Sequence, residues 1–283
     1  MIPPGWSGPL ERFKTGEISP EIALTLLLLA DSEADPTGRL DALAGADPAL
    51  APLNRLAIRQ GARISRVQAL VTAGIDPDQA DIAATRAHFD RLAAQAPEEA
   101  VALYAFGDPD LLAAATAELV EVIAAWTNLA GARILDFGCG IGRVAAAIAP
   151  LAAEVIGIDL SARMIAEARR RTAGVSNVRF EVGNGADLAG FGDGSFDLVL
   201  AVDSFPYLVR AGGDVLRAQT AEIARVLRVG GELIVFNWSY RGDLVADTND
   251  ARILGEASGL RLVRAGEQPF SIWNGAGFQF VRE

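Results

Sequence analysis

ILDFGCGIGRVAAA, residues 134–147, joins an apolar run to an aspartate, three glycines within seven residues and an alanine-rich segment. Aliphatic residues suit a pleated strand, glycines permit a sharp turn with close backbone approach, and alanine favours helix. The stretch reads as a strand that turns into a helix around a small ligand. Working outward, short apolar runs recur at 132–137, 153–158, 177–182, 196–202, 232–237, 260–265 and 276–281. Helical patterns fill most of the gaps, at 142–150, 161–172, 213–228 and 249–257. Strands that alternate with helices imply an α/β fold, a mostly parallel sheet covered on both faces. The last two runs are joined by EQPFSIWNGAG without a helix, which predicts a closing antiparallel pair.

Before residue 108 the pattern is helical throughout. Ser19-Pro20-Glu21 supplies a cap, a proline at the first helical position and an early acid ahead of IALTLLLLA. Asp76-Pro77 repeats that start for a helix to about Ala96, and DPTG (35–38) and ADPALAP (46–52) separate shorter helices. Asp108-Pro109 starts another, with Leu112, Leu119, Val122 and Ile123 facing inward at helical spacing. The expected organisation is an all-helical N-terminal region, 1–107, followed by an α/β domain, 108–283.

The composition narrows the function. With 51% hydrophobic residues the chain builds a substantial core, and a net charge of −11 disfavours nucleic acid as partner. One cysteine, Cys139, forms no internal disulfide, and with one histidine, His88, no thiolate or imidazole metal site is expected. The opening MIPPGWSGPLERF lacks the layout of a signal peptide, and the run at 22–30 is too short to span a bilayer. A cytoplasmic protein without a membrane partner is expected.

Two ligands fit the glycine loop. Gly140 begins G-I-G-R-V-A, which satisfies the dinucleotide fingerprint, and Asp159 follows about twenty residues later, as a ribose-binding acid would. Asp136 argues the other way. A carboxylate at the edge of the cradle repels a pyrophosphate and attracts a cation. The strand also runs straight into the first glycine as I-L-D-F-G, which leaves Asp136-Phe137-Gly138 without a role in the dinucleotide alternative.

The order of ILDFGCGIG, VIGIDLSARMIAEAR, FEVGNGADL, SFDLVLAVDSF and ARVLRVGGELIVFNW resembles that of the class I S-adenosylmethionine-dependent methyltransferases, over about residues 110–283. The resemblance implies a Rossmann-like, doubly wound, seven-stranded sheet, mostly parallel with a closing antiparallel strand, and S-adenosylmethionine as cofactor. It implies that Gly138, Cys139 and Gly140 wrap the methionyl part, with Cys139 a packing residue rather than a nucleophile. Gly142 lets the next helix pack closely, and Asp136 faces the ligand's amino group. Asp159 accepts the ribose hydroxyls and Leu160 lies against the adenine. Asn184, where many relatives carry aspartate, meets the adenine amino group, with the Gly185 backbone beside it and Asp187 as a rival. Val202, between Ala201 and Asp203, lies near the methionyl group.

The implied reaction is in-line displacement on a small-molecule acceptor, oxygen or nitrogen before carbon. Alignment alone lowers such a barrier by about 7–11 kcal/mol at best. Tyr207 stands where several small-molecule relatives carry histidine after the fourth strand, and Asp203 would act as a base or orienting acid. His88 is a third catalytic candidate, on a helix that would form a lid; the alternative is a solvated helix position. Arg143 is either a substrate contact or solvated. Tyr104 and Phe106 are candidate lid aromatics, and Trp238, Ser239 and Tyr240 are expected at the ligand edge. The helical region would cover the substrate mouth or mediate self-association as a homodimer. An NAD(P)-dependent oxidoreductase and a non-catalytic S-adenosylmethionine-binding protein remain as alternatives.

Overall fold

The computed structural model describes residues 2–3, 5–33, 35–72 and 81–283. The helix start expected at Asp76-Pro77 lies outside them. The described chain divides into two compact units. The first takes in residues up to 72, 96–115 and 270–274; the second takes in 81–95, 116–269 and 275–283.

The first unit is helical. It holds α1 (Ser7–Lys14), α2 (Pro20–Ala30), α3 (Pro36–Ala46) and α4 (Ala51–Thr72). The Ser19 hydroxyl caps α2 by accepting the Ile22 N–H at 3.1 Å, and the same hydroxyl donates to the Ile272 carbonyl at 2.8 Å. Leu24, Leu27 and Leu28 of α2 and Leu53, Leu56 and Val67 of α4 are buried, as three- and four-residue spacing requires. Tyr104 stacks on Trp273, their centroids 6.0 Å apart. Tyr104 and Phe106, expected as lid aromatics, are buried side chains of this unit.

In the second unit lies a sheet of seven strands among the described residues, in the order β3-β2-β1-β4-β5-β7-β6. Its strands are β1 (Arg133–Phe137), β2 (Glu154–Asp159), β3 (Val178–Val182), β4 (Phe196–Val202), β5 (Leu227–Phe236), β6 (Leu260–Glu267) and β7 (Gly277–Arg282). Pairing is parallel from β3 to β5, and β7 runs antiparallel to both β5 and β6, the closing pair expected from the helix-free link. Ile134 and Leu135 are fully buried, as a central strand covered on both faces requires. The core joins Leu135, Ile156, Val199, Phe205, Trp238 and Phe278.

The helices of this unit are α5 (Ile82–Gln95), α8 (Arg143–Ile148), α9 (Ala162–Arg171), α10 (Phe205–Ala211), α11 (Gly213–Val226) and α12 (Leu244–Ala257); α6 (Pro97–Val101) belongs to the first, and α7 (Pro109–Trp126) begins there. Leu112, Leu119 and Ile123 of α7 are buried and Val122 is half-buried. Two boundaries differ from expectation by five residues. β5 begins at Leu227, before the expected 232, because Leu227 already pairs with Phe196 ahead of a register shift. α12 begins at Leu244 rather than 249, capped by Asp243, whose carboxylate accepts the Ala246 N–H. The sheet's switch point falls between β1 and β4, where chains leave in opposite directions and open a crevice at their carboxyl ends.

Candidate functional site

The glycine loop leaves β1 at that switch point. Gly138, Gly140 and Gly142 all have positive φ, 76°, 52° and 74°. The turn is tied to β2, since the Gly138 and Cys139 N–H groups both donate to the Ile158 carbonyl, at 2.8 and 3.0 Å. A Cβ on Gly138 would lie 2.5 Å from Ser204 Cβ, and one on Gly142 would lie 2.7 Å from the Phe180 ring and 3.0 Å from Ala168 Cβ. The missing Cβ at Gly142 is what lets α8 sit close to β3 and α9. The Cys139 thiol is buried, packs where a Cβ on Gly157 would sit 2.8 Å away, and burial pushes its pKa up. Its side chain serves packing, and its backbone holds the turn, the N–H donating to Ile158 and the carbonyl accepting the Gly142 N–H.

Asp136 is 2% exposed, and its Oδ2 has no hydrogen-bond partner. Burial raises its pKa to about 7, against the pull of the Arg143 guanidinium and the Ala145 N–H. Ser204, just past β4 and in contact with Gly138, also has a buried hydroxyl oxygen without a partner. A buried acceptor left unmet is costly, and a carboxylate more so. Such a cradle fits a ligand that brings a small cation, and an anionic pyrophosphate would add repulsion to the burial cost. Ser204 escapes sequence reasoning because its burial comes from the fold.

Asp159 is half-buried at the end of β2. Its Oδ2 accepts the Gly140 N–H at 2.9 Å and its Oδ1 the Ser161 N–H at 2.8 Å. Burial raises its pKa, opposed by those N–H groups, while the nearby Asp90 adds to the rise. The acid thus braces the glycine loop, with the Leu160 N–H beside it as well. Leu160 lies against Gly185, as does Ile82 of α5, with atoms 2.8 and 2.5 Å from where a Gly185 Cβ would be. Asp90 of the same helix accepts the Ser161 hydroxyl at 2.6 Å, and the Arg86 guanidinium donates to the Asn184 carbonyl at 3.1 Å. Ile82, Arg86 and Asp90 carry no motif that marks them.

Asn184 is engaged within its own turn. Its Oδ1 accepts the N–H groups of Ala186 and Asp187, at 2.7 and 3.0 Å, and its Nδ2 donates to Asp187 Oδ1 at 2.9 Å. The amide oxygen is engaged twice within its own turn, and Asp187 Oδ1 accepts both the Asn184 amide and the Ala189 N–H.

At the end of β4, Val202 is half-buried and Asp203 has a φ of 58°. Asp203 Oδ1 accepts the Asn237 amide at 2.6 Å. Burial lifts its pKa to about 6, while Asn237, then Tyr240, then Arg143 favour the ionised form. Tyr207, half-buried on α10, lies with its hydroxyl 3.5 Å from that of Tyr240, which is 52% exposed. Burial, helped by the Asp203 charge, pushes Tyr207 up to about 12. α10 itself was not expected, although Pro206 in its first turn is a recognisable start signal.

His88 is not solvated. It is 8% exposed, its Nδ1 lacks a partner, and burial, with the Arg91 and Arg210 charges, lowers its pKa. Its ring packs edge-on against Phe89, which in turn packs edge-on against Tyr207. Arg143 donates to the Thr116 hydroxyl at 3.0 Å. Trp238 and Ser239, expected at the ligand edge, turn away from it. Trp238 is 1% exposed among Phe205, Phe278 and Phe280, and the Ser239 hydroxyl donates to Asp247 at 2.7 Å. The apolar core draws in the large indole as β5 ends, so of the three only Tyr240 is presented.

Comparison with known proteins adds a family. Residues 135–235 match the family described as Methyltransferase domain. This part of the chain is a class I S-adenosylmethionine-dependent methyltransferase domain. The chain is similar to the demethylmenaquinone methyltransferase of Tropheryma whipplei, 37% identical over 117 residues, covering 41% of this chain and 46% of that protein. It is also similar to the 2-methyl-6-phytyl-1,4-hydroquinone methyltransferase of Synechocystis sp., 30% identical over 146 residues, covering 49% of this chain and 44% of that one. The matches thus span less than half the length of these curated relatives. In fold, the methyltransferase domain and its surroundings resemble the crystal structure of magnesium protoporphyrin IX methyltransferase from Synechocystis PCC 6803. The TM-score there is 0.54 at 20% identity, over 75% of this chain and 99% of that one.

Proposed function

We propose that this protein transfers a methyl group from S-adenosylmethionine to a small-molecule acceptor. The observation that carries this reading is the buried Asp136 carboxylate with an unmet oxygen beside the glycine loop. In this reading Asp136 holds the cofactor's ammonium, which also restores its ionised form, and Ser204 offers its hydroxyl to the same end. The backbones of Gly138, Cys139 and Gly140 wrap the methionyl chain beside Val202. Asp159 takes the ribose hydroxyls, and Leu160 and Ile82 cover the adenine. Because the Asn184 amide is engaged, the adenine edge falls to the backbone around Gly185. The cofactor's sulfonium supplies an activated methyl. Asp203, held near neutrality by burial, accepts the proton of the attacking group, and Tyr207 and Tyr240 orient that group. His88, kept neutral, backs Phe89 and Tyr207 rather than moving a proton. Both named relatives act, by name, on quinone-type rings, which supports a small ring acceptor.

Calorimetric titration with S-adenosylmethionine, S-adenosylhomocysteine and NAD(P) tests the cofactor. S-Adenosylhomocysteine is expected to bind, with Asp159→Ala weakening it at least about tenfold while circular dichroism is retained. Binding of NAD(P) with no response to the adenosyl sulfur compounds would overturn the reading.

A further inference from the structure

β4 and β5 release two polar residues side by side. Val202 and Phe236 form their last register pair, and Asp203 and Asn237 follow with φ of 58° and 69°. Left-handed backbone is uncommon for residues with a side chain. Both turns are pinned by neighbours: the Asp203 N–H donates to the Phe236 carbonyl at 2.9 Å, and the Asn237 N–H donates to the Ala276 carbonyl at 2.8 Å. The turns bring the two side chains together, Asn237 Nδ2 to Asp203 Oδ1, at 2.6 Å. One fixed donor is thereby committed to one carboxylate oxygen at the mouth of the switch-point crevice.

We infer that Asn237 is a positioning residue of the transfer centre: it grips Asp203 by one oxygen and leaves the other to take the proton of an acceptor hydroxyl. The inference rests on the reading of Asp203 as base and extends it to a second residue and to a substrate class, acceptors with an ionisable hydroxyl. In the step, the hydroxyl proton passes to Asp203 and the oxygen bonds to the methyl carbon. The carbon–sulfur bond breaks with its electron pair left on sulfur, and Asp203 then releases the proton to water. The charged and titratable groups that face Asp203 are Tyr240 beyond β5, Arg143 at the start of α8 and Tyr207 on α10. The Tyr240 hydroxyl is a second hydrogen-bond partner of the carboxylate, and the Asn237 amide is the stronger of the two in favouring its ionised form.

Asn237→Gly removes the amide at a backbone angle that glycine accepts. Carbon-13 NMR titration of the full-length protein with labelled aspartate, the Asp203 signal being assigned by its loss in Asp203→Asn, reads the effect without an acceptor. The Asp203 midpoint is expected to rise by about 1 pH unit in Asn237→Gly. An unmoved midpoint overturns the role of Asn237. With hydroquinone as probe acceptor, the ascending limb of kcat against pH is expected to move up by a similar amount, with the KM for S-adenosylmethionine unchanged. Methylation of aniline but not hydroquinone overturns the hydroxyl class. Full activity of Asp203→Asn would instead bring down the underlying reading of Asp203 as base, an outcome distinct from both.

Discussion

Asp136 costs the ligand-free protein stability. Its pKa is raised from the ordinary 3.8 to about 7, chiefly by burial. Below pH 3.8 it is neutral whether folded or unfolded. Through the window up to about 7 the unfolded chain ionises first, so stability falls as pH rises, and above 7 the full deficit persists. That deficit is on the order of 4 kcal/mol at its upper end. Asp136→Asn is therefore expected to raise the melting temperature at pH 8, change it little at pH 4, and weaken S-adenosylhomocysteine binding. A lower melting temperature at pH 8 would contradict this account. Asp136 is legible in the sequence because a charge directly after an apolar run, and before glycines, has few structural uses. Asn237 and Ser204 are not, because their partners, Asp203 and Gly138, lie far away along the chain and meet them only through strand pairing. Asn184 is held for a local reason: Asn-Gly favours a turn, and the turn engages the amide oxygen twice.

Among the elements, the glycine loop depends on backbone freedom and on space, and two substitutions separate these. Gly142 and Gly131 have nearly equal φ, 74° and 75°, but a Cβ on Gly131 meets nothing while one on Gly142 strikes Phe180 and Ala168. Gly131→Ala is expected to cost about 1 kcal/mol from backbone strain alone. Gly142→Ala adds overpacking of about 1–3 kcal/mol. Urea denaturation of the two variants measures the difference; equal midpoints would mean that α9 shifts freely. The strands were legible from their apolar runs, since a sheet covered on both faces needs uninterrupted hydrophobic residues. β5 starts early because Leu227 pairs with Phe196, and Arg228 to Gly231 lie in the register shift before Glu232 pairs with Leu198, which composition does not reveal. α10 is too short for periodicity to mark it, and only Pro206 announces it.

Across the molecule, no helix among the described residues is long and apolar enough to cross a membrane. The sheet unit draws α5 from well upstream of its first strand. Asp90 ties α5 to the start of α9, where it accepts the Ser161 hydroxyl and, at 3.3 Å, the Arg163 N–H. Asp90→Ala is expected to speed amide exchange along 82–95 while β1, β2 and β4 keep their protection, as hydrogen-exchange mass spectrometry would show. Uniform loss of protection would mean that α5 and the sheet open together.

Ser19 and Tyr104 both find partners in 270–274, so the helical unit is stitched together by residues made long after its own helices. On a ribosome, which releases the chain from its amino end, α1 to α4 must wait through synthesis of nearly the whole sheet before those contacts can form. The nascent first unit is left with Tyr104 unstacked throughout that interval, the stage at which a chaperone would find it most readily.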